Sequence, residues 1–280
     1  MSYRTILVCL NEVDRAAVLL QLAGDLAKAQ DAHLIGLFVI PGLRIYPANG
    51  MGTTPELFEV HRKMFTDRAE TAKALFEARV RDVDLPAEWR LVESGSPLVA
   101  DTVVQHARQA DLVVASQSSQ ESGSSVESEF AGRIAMESGR PVLLVPYYGR
   151  FEHCGRRALI GWNGTREAAR AAFDAVGILK HAHSVHVSRI DSQESQEDAS
   201  PNPAAELAKT LARHGIKTTA ERMARSEVGA GEALLSHASD LGADLIVMGA
   251  YGHNRLREFI LGGATRTMLQ AMTVPVLMSH

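Results

Sequence analysis

The sequence predicts an α/β chain of two tandem doubly wound domains, each a five-stranded parallel sheet in the order 3-2-1-4-5. Two observations predict it: the chain repeats itself, and within each repeat short apolar β-type runs alternate with Ala/Leu-rich helical segments. Strands that alternate with helices imply parallel pairing, right-handed crossovers and a sheet covered on both faces.

The repeat is read at three places. Thr5-Ile-Leu-Val-Cys-Leu-Asn11 and Ala158-Leu-Ile-Gly-Trp-Asn163 are apolar runs that end in asparagine, each followed by a helical segment. Val104-Gln-His106-Ala107 and Leu235-Ser-His237-Ala238 precede Asp111-Leu-Val-Val and Asp244-Leu-Ile-Val. Gly139-Arg-Pro141-Val and Thr273-Val-Pro275-Val close the two halves. Units of this size are domains, not solenoid repeats. They are expected at 1–148 and 156–280, joined in the stretch from Tyr147 to Gly155. The offset falls from 152 at the asparagines to 134 at the prolines, so the first half carries extra residues. The Pro/Gly-containing stretch Pro41 to Gly52 is their expected place.

In the second half the elements follow in order. Residues 157–162 are a strand. A helix runs from Thr165 to about Lys180, with an alanine stripe at Ala168, Ala171, Ala172 and Ala175, Thr165 as N-cap and Glu167 in the first turn. His183 to Ile190 is a strand, and Pro203 to His214 a helix stopped by Gly215. Lys217 to Met223 alternates as an exposed third strand. Gly231 to Leu241 is a helix, Leu245 to Met248 a strand, Thr265 to Ala271 a helix and Val274 to Met278 the fifth strand.

Composition narrows the function classes. With 280 residues and 46% hydrophobic content the chain can bury a real core. A formal charge of −4 and few aromatics leave no footprint for nucleic acid. No apolar run has the length of a membrane span and no signal-peptide pattern opens the chain, so a cytoplasmic protein is expected. Cys9 and Cys154 lack C-x-x-C spacing and read as reduced, buried or half-buried thiols.

Chemistry concentrates near the end of the chain. Gly249 and Gly252 break the fourth apolar run, and after nine residues Gly262-Gly263-Ala264 leads into a helix. Glycines at a strand end and a helix start let backbone amides approach a phosphate. In the predicted strand order the reversal lies between the first and fourth strands, so Asn163 and Gly249 would face one crevice.

The Gly249-x2-Gly252-x9-Gly262 spacing, Asn163-Gly164-Thr165 and Val274-Pro275-Val276 resemble the universal stress protein family. The resemblance covers both halves and is more specific in the second. It implies a HUP- or Rossmann-like fold, a cytoplasmic stress-response module that binds ATP, ADP or AMP (with Mg where the nucleotide brings it), and domains paired through their fifth strands. It places Asn163 where an aspartate usually reads adenine, Met248 and Gly249 beside the ribose and phosphates, and Gly252 and Gly262 under the phosphates. Two residues depart from the pattern. Asparagine offers both an acceptor and a donor to adenine. Gly263 and Ala264 stand where a hydroxyl residue usually follows Gly262, so the first hydroxyl is that of Thr265; amides of Gly262, Gly263 and Ala264 can still form an anion nest. Arg266 is the candidate for charge compensation.

The first half reads differently. Ala115-Ser116-Gln117-Ser118 replaces the glycines, and Ser128 and Glu129 stand opposite Gly262 and Gly263. The loop Ser118 to Glu129 carries Glu121, Glu127 and Glu129, which repel an anion. This domain is read as degenerate, with Asn11 retained for helix capping; a cation or an uncharged metabolite in its loop is the alternative.

Other features have bland readings beside sharp ones. His183 and His186 point to opposite faces of a strand and lack a completing ligand, so no metal is expected. His253, Arg255 and Arg257 either reach a triphosphate or pair with Glu258 and solvent. Asp191 to Ser200 is a solvated loop, and Trp162 packs in the core or lines an adenine pocket. Motifs for a nucleophile elbow, a Walker lysine, a zincin or an adenylating enzyme are absent, so catalysis is expected to go no further than slow ATP hydrolysis. Two readings remain: a regulator with one nucleotide site whose occupancy alters contacts with an unidentified protein partner, and a structural interaction module with a remnant glycine loop. Chains could pair further into homodimers through an exposed sheet edge.

Overall fold

A computed structural model describes residues 2–43, 55–118, 125–189, 203–223, 229–251 and 263–280. The first half runs β1 (Thr5–Cys9), α1 (Val13–Gln30), β2 (His33–Ile40), α2 (Pro55–Val83), β3 (Ala87–Glu93), α3 (Val99–Ala107), β4 (Leu112–Ser116), α4 (Phe130–Glu137) and β5 (Val142–Val145). The second runs β6 (Arg157–Trp162), α5 (Arg166–Asp174), α6 (Val176–Leu179), β7 (Ser184–Arg189), α7 (Pro203–Arg213), β8 (Thr218–Arg222), α8 (Ala230–Asp240), β9 (Leu245–Gly249), α9 (Gly263–Ala271) and β10 (Val276–Ser279).

The strands form one ten-stranded sheet, ordered β3-β2-β1-β4-β5-β10-β9-β6-β7-β8. Each half therefore has the predicted 3-2-1-4-5 order with parallel neighbours. The halves join where β5 and β10 pair antiparallel, with Leu143 opposite Leu277. Two apolar layers cover the sheet. Ile160, Val185, Val187, Leu245 and Val247 face the layer that holds Ala171, Ala172 and Leu207. Leu159, Ile246 and Met248 face the other, with Leu234 and Met268.

Local chemistry explains the boundaries. Thr165 caps α5, its Oγ1 accepting from the Ala168 amide at 3.3 Å. Gly215, at φ 81°, follows α7 as a helix stop. The expected single helix from Thr165 to Lys180 divides at Ala175, next to Val176 and Gly177, both weaker helix formers than alanine. The fifth strand starts at Val276 and not Val274, since Pro275 has no N–H for a ladder.

Beyond position 43 the Pro41–Gly52 stretch, where the extra residues are expected, lies outside the described residues, but the described helices differ in length. Helix α2 has 29 residues against 11 in α7, a difference of 18 that equals the fall in repeat offset from 152 to 134.

Aspartates tie the strand starts together. Asp111 Oδ2 accepts from the amides of Arg4 and Thr5 at 2.8 and 3.0 Å. Asp244 does the same for Gly155, Arg156 and Arg157 at 3.0, 3.2 and 3.0 Å. The acidic residue before each fourth strand is thus a structural clamp at the end of the sheet opposite the crevice.

Candidate functional site

The crevice lies at the carboxyl ends of β6 and β9, which are hydrogen-bonded neighbours. Here the strand order reverses, and two loops leave the sheet on different sides. From β6 the chain passes through Asn163, Gly164 and Thr165 into α5. Gly164 has φ 76°, a conformation that side chains rarely adopt, and a Cβ built on it would meet nothing within 4 Å among the described residues. Exposed Asn163 uses its amide oxygen within the loop, accepting from the Thr165 amide at 3.2 Å and Thr165 Oγ1 at 2.9 Å. Of the two capacities of this amide, the donor is the one left for a ligand.

From β9 the chain passes through Gly249, Ala250 and Tyr251. A Cβ on Gly249 would stand 2.5 Å from the Ala168 nitrogen and 2.5 Å from the Glu167 carbonyl carbon. The first turn of α5 therefore rests directly on the end of β9. This close approach brings the Asn163 loop and the Gly249 loop together, and it alone is enough to demand glycine. Met248 is buried in the core layer. Tyr251 has φ 62°, its amide donates to Thr265 Oγ1 at 3.3 Å, and its ring meets His280 edge-on. Burial pushes its phenol up to about 12, with Glu129 across the domain boundary adding to the shift. The His280 ring nitrogen Nδ1 lies 3.0 Å from the Ala250 carbonyl, so the last residue braces this loop.

Helix α9 supplies the third wall. Gly263 and Ala264 open it, a Cβ at Gly263 would meet nothing within 4 Å among the described residues, and Thr265 is buried. The Thr265 hydroxyl oxygen is occupied by Tyr251 and keeps its own O–H to donate. Arg266 is exposed and has no ion pair among the described residues. Gly252 and Gly262 lie outside the described residues, as do His253, Arg255, Arg257, Glu258, Glu121 and the Asp191–Ser200 stretch. Two buried polar atoms near the carboxyl strand ends have no partner among the described residues: Trp162 Nε1 and Ser188 Oγ. Sequence reading named Trp162 and missed Ser188, which looks like any polar residue until the β6–β7 register sets it beside Gly161.

The first domain is arranged otherwise. Asn11 does not cap a helix. Fully buried, it donates through Nδ2 to the Val39 carbonyl at 2.7 Å and accepts from the Val39 amide at 3.1 Å, extending the β1–β2 ladder by one side chain. Nor are the acidic side chains of this domain's loop all facing an empty site. Both oxygens of Glu127 take amides at the start of α3, from Val99 at 3.1 Å and Ala100 at 2.9 Å. Gln117, after β4, reaches across the domain boundary and donates to the Leu269 carbonyl of α9 at 2.8 Å.

Away from the crevice, Glu221 lies between His186 Nδ1 at 2.7 Å and His237 Nε2 at 3.0 Å. Burial works against its charge, but the hydrogen bonds and charge of the two imidazoles prevail and hold the carboxyl below its usual range. No group of His, Cys, Asp and Glu suited to a metal occurs among the described residues. No described helix is long and apolar enough to cross a membrane.

The sequence profile described as the universal stress protein family matches residues 2–146 and 155–280. Universal stress protein Slr1230 of Synechocystis sp. (strain ATCC 27184 / PCC 6803 / Kazusa) is 37% identical over 70 residues, 25% of this chain and 23% of that protein. The matched stretch thus spans less than a quarter of that relative. The crystal structure of a universal stress protein from Archaeoglobus fulgidus DSM 4304 superposes with a TM-score of 0.70 at 15% identity, over 98% of this chain and 97% of the other. A functionally unknown protein from Pseudomonas aeruginosa PAO1 superposes with a TM-score of 0.60 at 15% identity, over 99% and 92%. Both likenesses show the fold.

Proposed function

We propose a nucleotide-binding role for this chain, which belongs to the universal stress protein family: an adenine nucleotide, ATP, ADP or AMP, occupies the second domain, and its presence alters contacts with a protein partner in the cytoplasm. The domains are taken as 1–148 and 156–280. The observation that carries the reading is the crevice itself. The open side of Gly164 and the amide donor of Asn163 lie just past the end of β6, next to β9 in the sheet, and the first turn of α9 is tied through Thr265 to Tyr251 after β9. In this reading Asn163 and the unpartnered Trp162 Nε1 meet the base, Gly164 and Thr165 leave room for the ribose, and amides of Gly262, Gly263 and Ala264 receive phosphate with Arg266 nearby. Met248 and Gly249 border the ribose and phosphates, Gly252 would cradle the phosphates with Gly262, and any Mg would arrive on the phosphates. The roles come from donor and acceptor chemistry.

One observation favours a second reading. The packing of α5 on Gly249 accounts for that glycine without any ligand. A structural interaction module with a remnant loop would keep Gly249 and need nothing else.

Calorimetric titration of ATP, ADP and AMP into the chain, beside a Gly252→Val variant, separates them. Saturable binding of one nucleotide per chain, lost in the variant, is expected. Absence of binding up to millimolar ATP would sink the nucleotide reading.

A further inference from the structure

The first domain carries a charged side chain where the second carries none. Aligned at the asparagines that end β1 and β6, Glu12 takes the place of Gly164. The residue after it also changes. Thr165 caps α5 with its hydroxyl, whereas Val13 has no oxygen to offer α1. Glu12 is the N-cap of α1 by position, yet its side chain makes no bond to the helix it precedes.

Its carboxylate turns instead to the loop between β4 and α4. Oε1 accepts from the amides of Ser125 at 3.0 Å and Val126 at 3.2 Å. By the closing offset of 134 these positions align with Phe259 and Ile260, just before Gly262. One carboxylate oxygen held by two consecutive amides is the bonding that a phosphate oxygen takes in a backbone nest. The surrounding groups are closed as well. Ser118 Oγ accepts from the Ala131 amide in the first turn of α4 at 3.2 Å, and Glu127 holds the start of α3. Asn11 has already turned to Val39.

We propose that Glu12 is an internal ligand that closes the first domain to anions. An incoming phosphate would have to displace a carboxylate tethered on the same chain, whose effective concentration is far above that of a free competitor, and would meet its charge while doing so. Beyond the loss of the loop glycines, Glu12 itself occupies the Ser125 and Val126 amides. The inference concerns first-domain amides and stands apart from nucleotide binding in the second domain.

The test follows the amide resonances of Ser125 and Val126 in the 15N-labelled full chain during titration with pyrophosphate. Wild type is expected to show no saturable shift at either amide. Glu12→Ala removes the resident oxygen, and both amides should then shift and saturate. Glu12→Gln keeps the shape but replaces a charged acceptor with a weaker neutral one, so the same shifts should appear at higher pyrophosphate. The gln variant also guards against misfolding in the alanine one, and the remaining sheet resonances report the fold in both. Silence at both amides in both variants overturns the proposal, as does a saturable shift of equal midpoint in wild type.

Discussion

The carboxylate of Asp244 accepts from the backbone amide of Gly155 at 3.0 Å, across 89 residues of sequence, and also takes the next two amides. It fixes the start of β6 to the start of β9 before either strand has reached the crevice. Asp244→Ala is expected to lower stability by about 1–3 kcal/mol, with partial hydration of the freed amides limiting the loss. Asp244→Asn keeps one acceptor and should recover part of it. Urea unfolding of the three proteins measures this, and an alanine variant as stable as wild type would show the clamp to be idle.

Two glycines of the crevice should respond oppositely to alanine. At Gly249 the added carbon would lie 2.5 Å from backbone atoms of α5, which cannot move aside as a side-chain tip can. A cost of roughly 1–3 kcal/mol is expected from overpacking. At Gly263 the same carbon meets nothing within 4 Å among the described residues, so Gly263→Ala should stabilise by about 0.4–1 kcal/mol through the unfolded chain. Denaturation midpoints decide both signs.

The Glu221 carboxyl gives the fold an acid-sensitive contribution. Its folded pKa lies below the unfolded one, so the contribution is complete above the ordinary value of 4.5 and fades as pH falls through the lower folded value. Wild type should therefore lose more stability than Glu221→Gln on acidification below about pH 4.5. Urea midpoints of the two proteins that fall in parallel across that range would show that the two imidazoles do not hold the carboxylate.

Neither thiol should react in the native chain. Burial pushes the Cys9 thiol up to about 12, against a weaker opposing effect of the contact with Asn11. Burial, and then the charge of Asp244, also raise Cys154. An alkylating reagent at pH 8 should label both only after unfolding. Mass spectrometry that finds rapid native labelling of Cys9 would contradict its place in the core.

The sequence made the sheet legible because the period of its apolar runs and the position of the asparagine and glycine breaks are local signals. Strand order then followed from the repeat, and with it the meeting of Asn163 and Gly249. What stayed hidden depends on neighbours distant along the chain. Nothing local shows that Gly249 serves the packing of α5, that Asn11 pairs with Val39, or that Glu12 reaches Ser125. A Pro/Gly stretch tolerates added length and so draws the expectation of an insertion, whereas the 29 residues of α2 continue a helical pattern without a break. Ser188 gave no signal, since a buried hydroxyl is recognised only once its surroundings are known.

The contact between β5 and β10 has one more property. Leu143 lies opposite Leu277, 134 residues on, which is the repeat offset itself; Val142 faces Met278 and Leu144 faces Val276. The central residue therefore meets its own counterpart and the residues on either side exchange partners reciprocally, the isologous geometry of a twofold dimer. The molecule has the form of a homodimer whose subunits share one chain. In a true homodimer every substitution appears twice, and both sites change together. Covalent fusion lifts that constraint: Glu12 can stand in one half while Gly164 stands in the other, so the pseudo-symmetric partners are free to specialise.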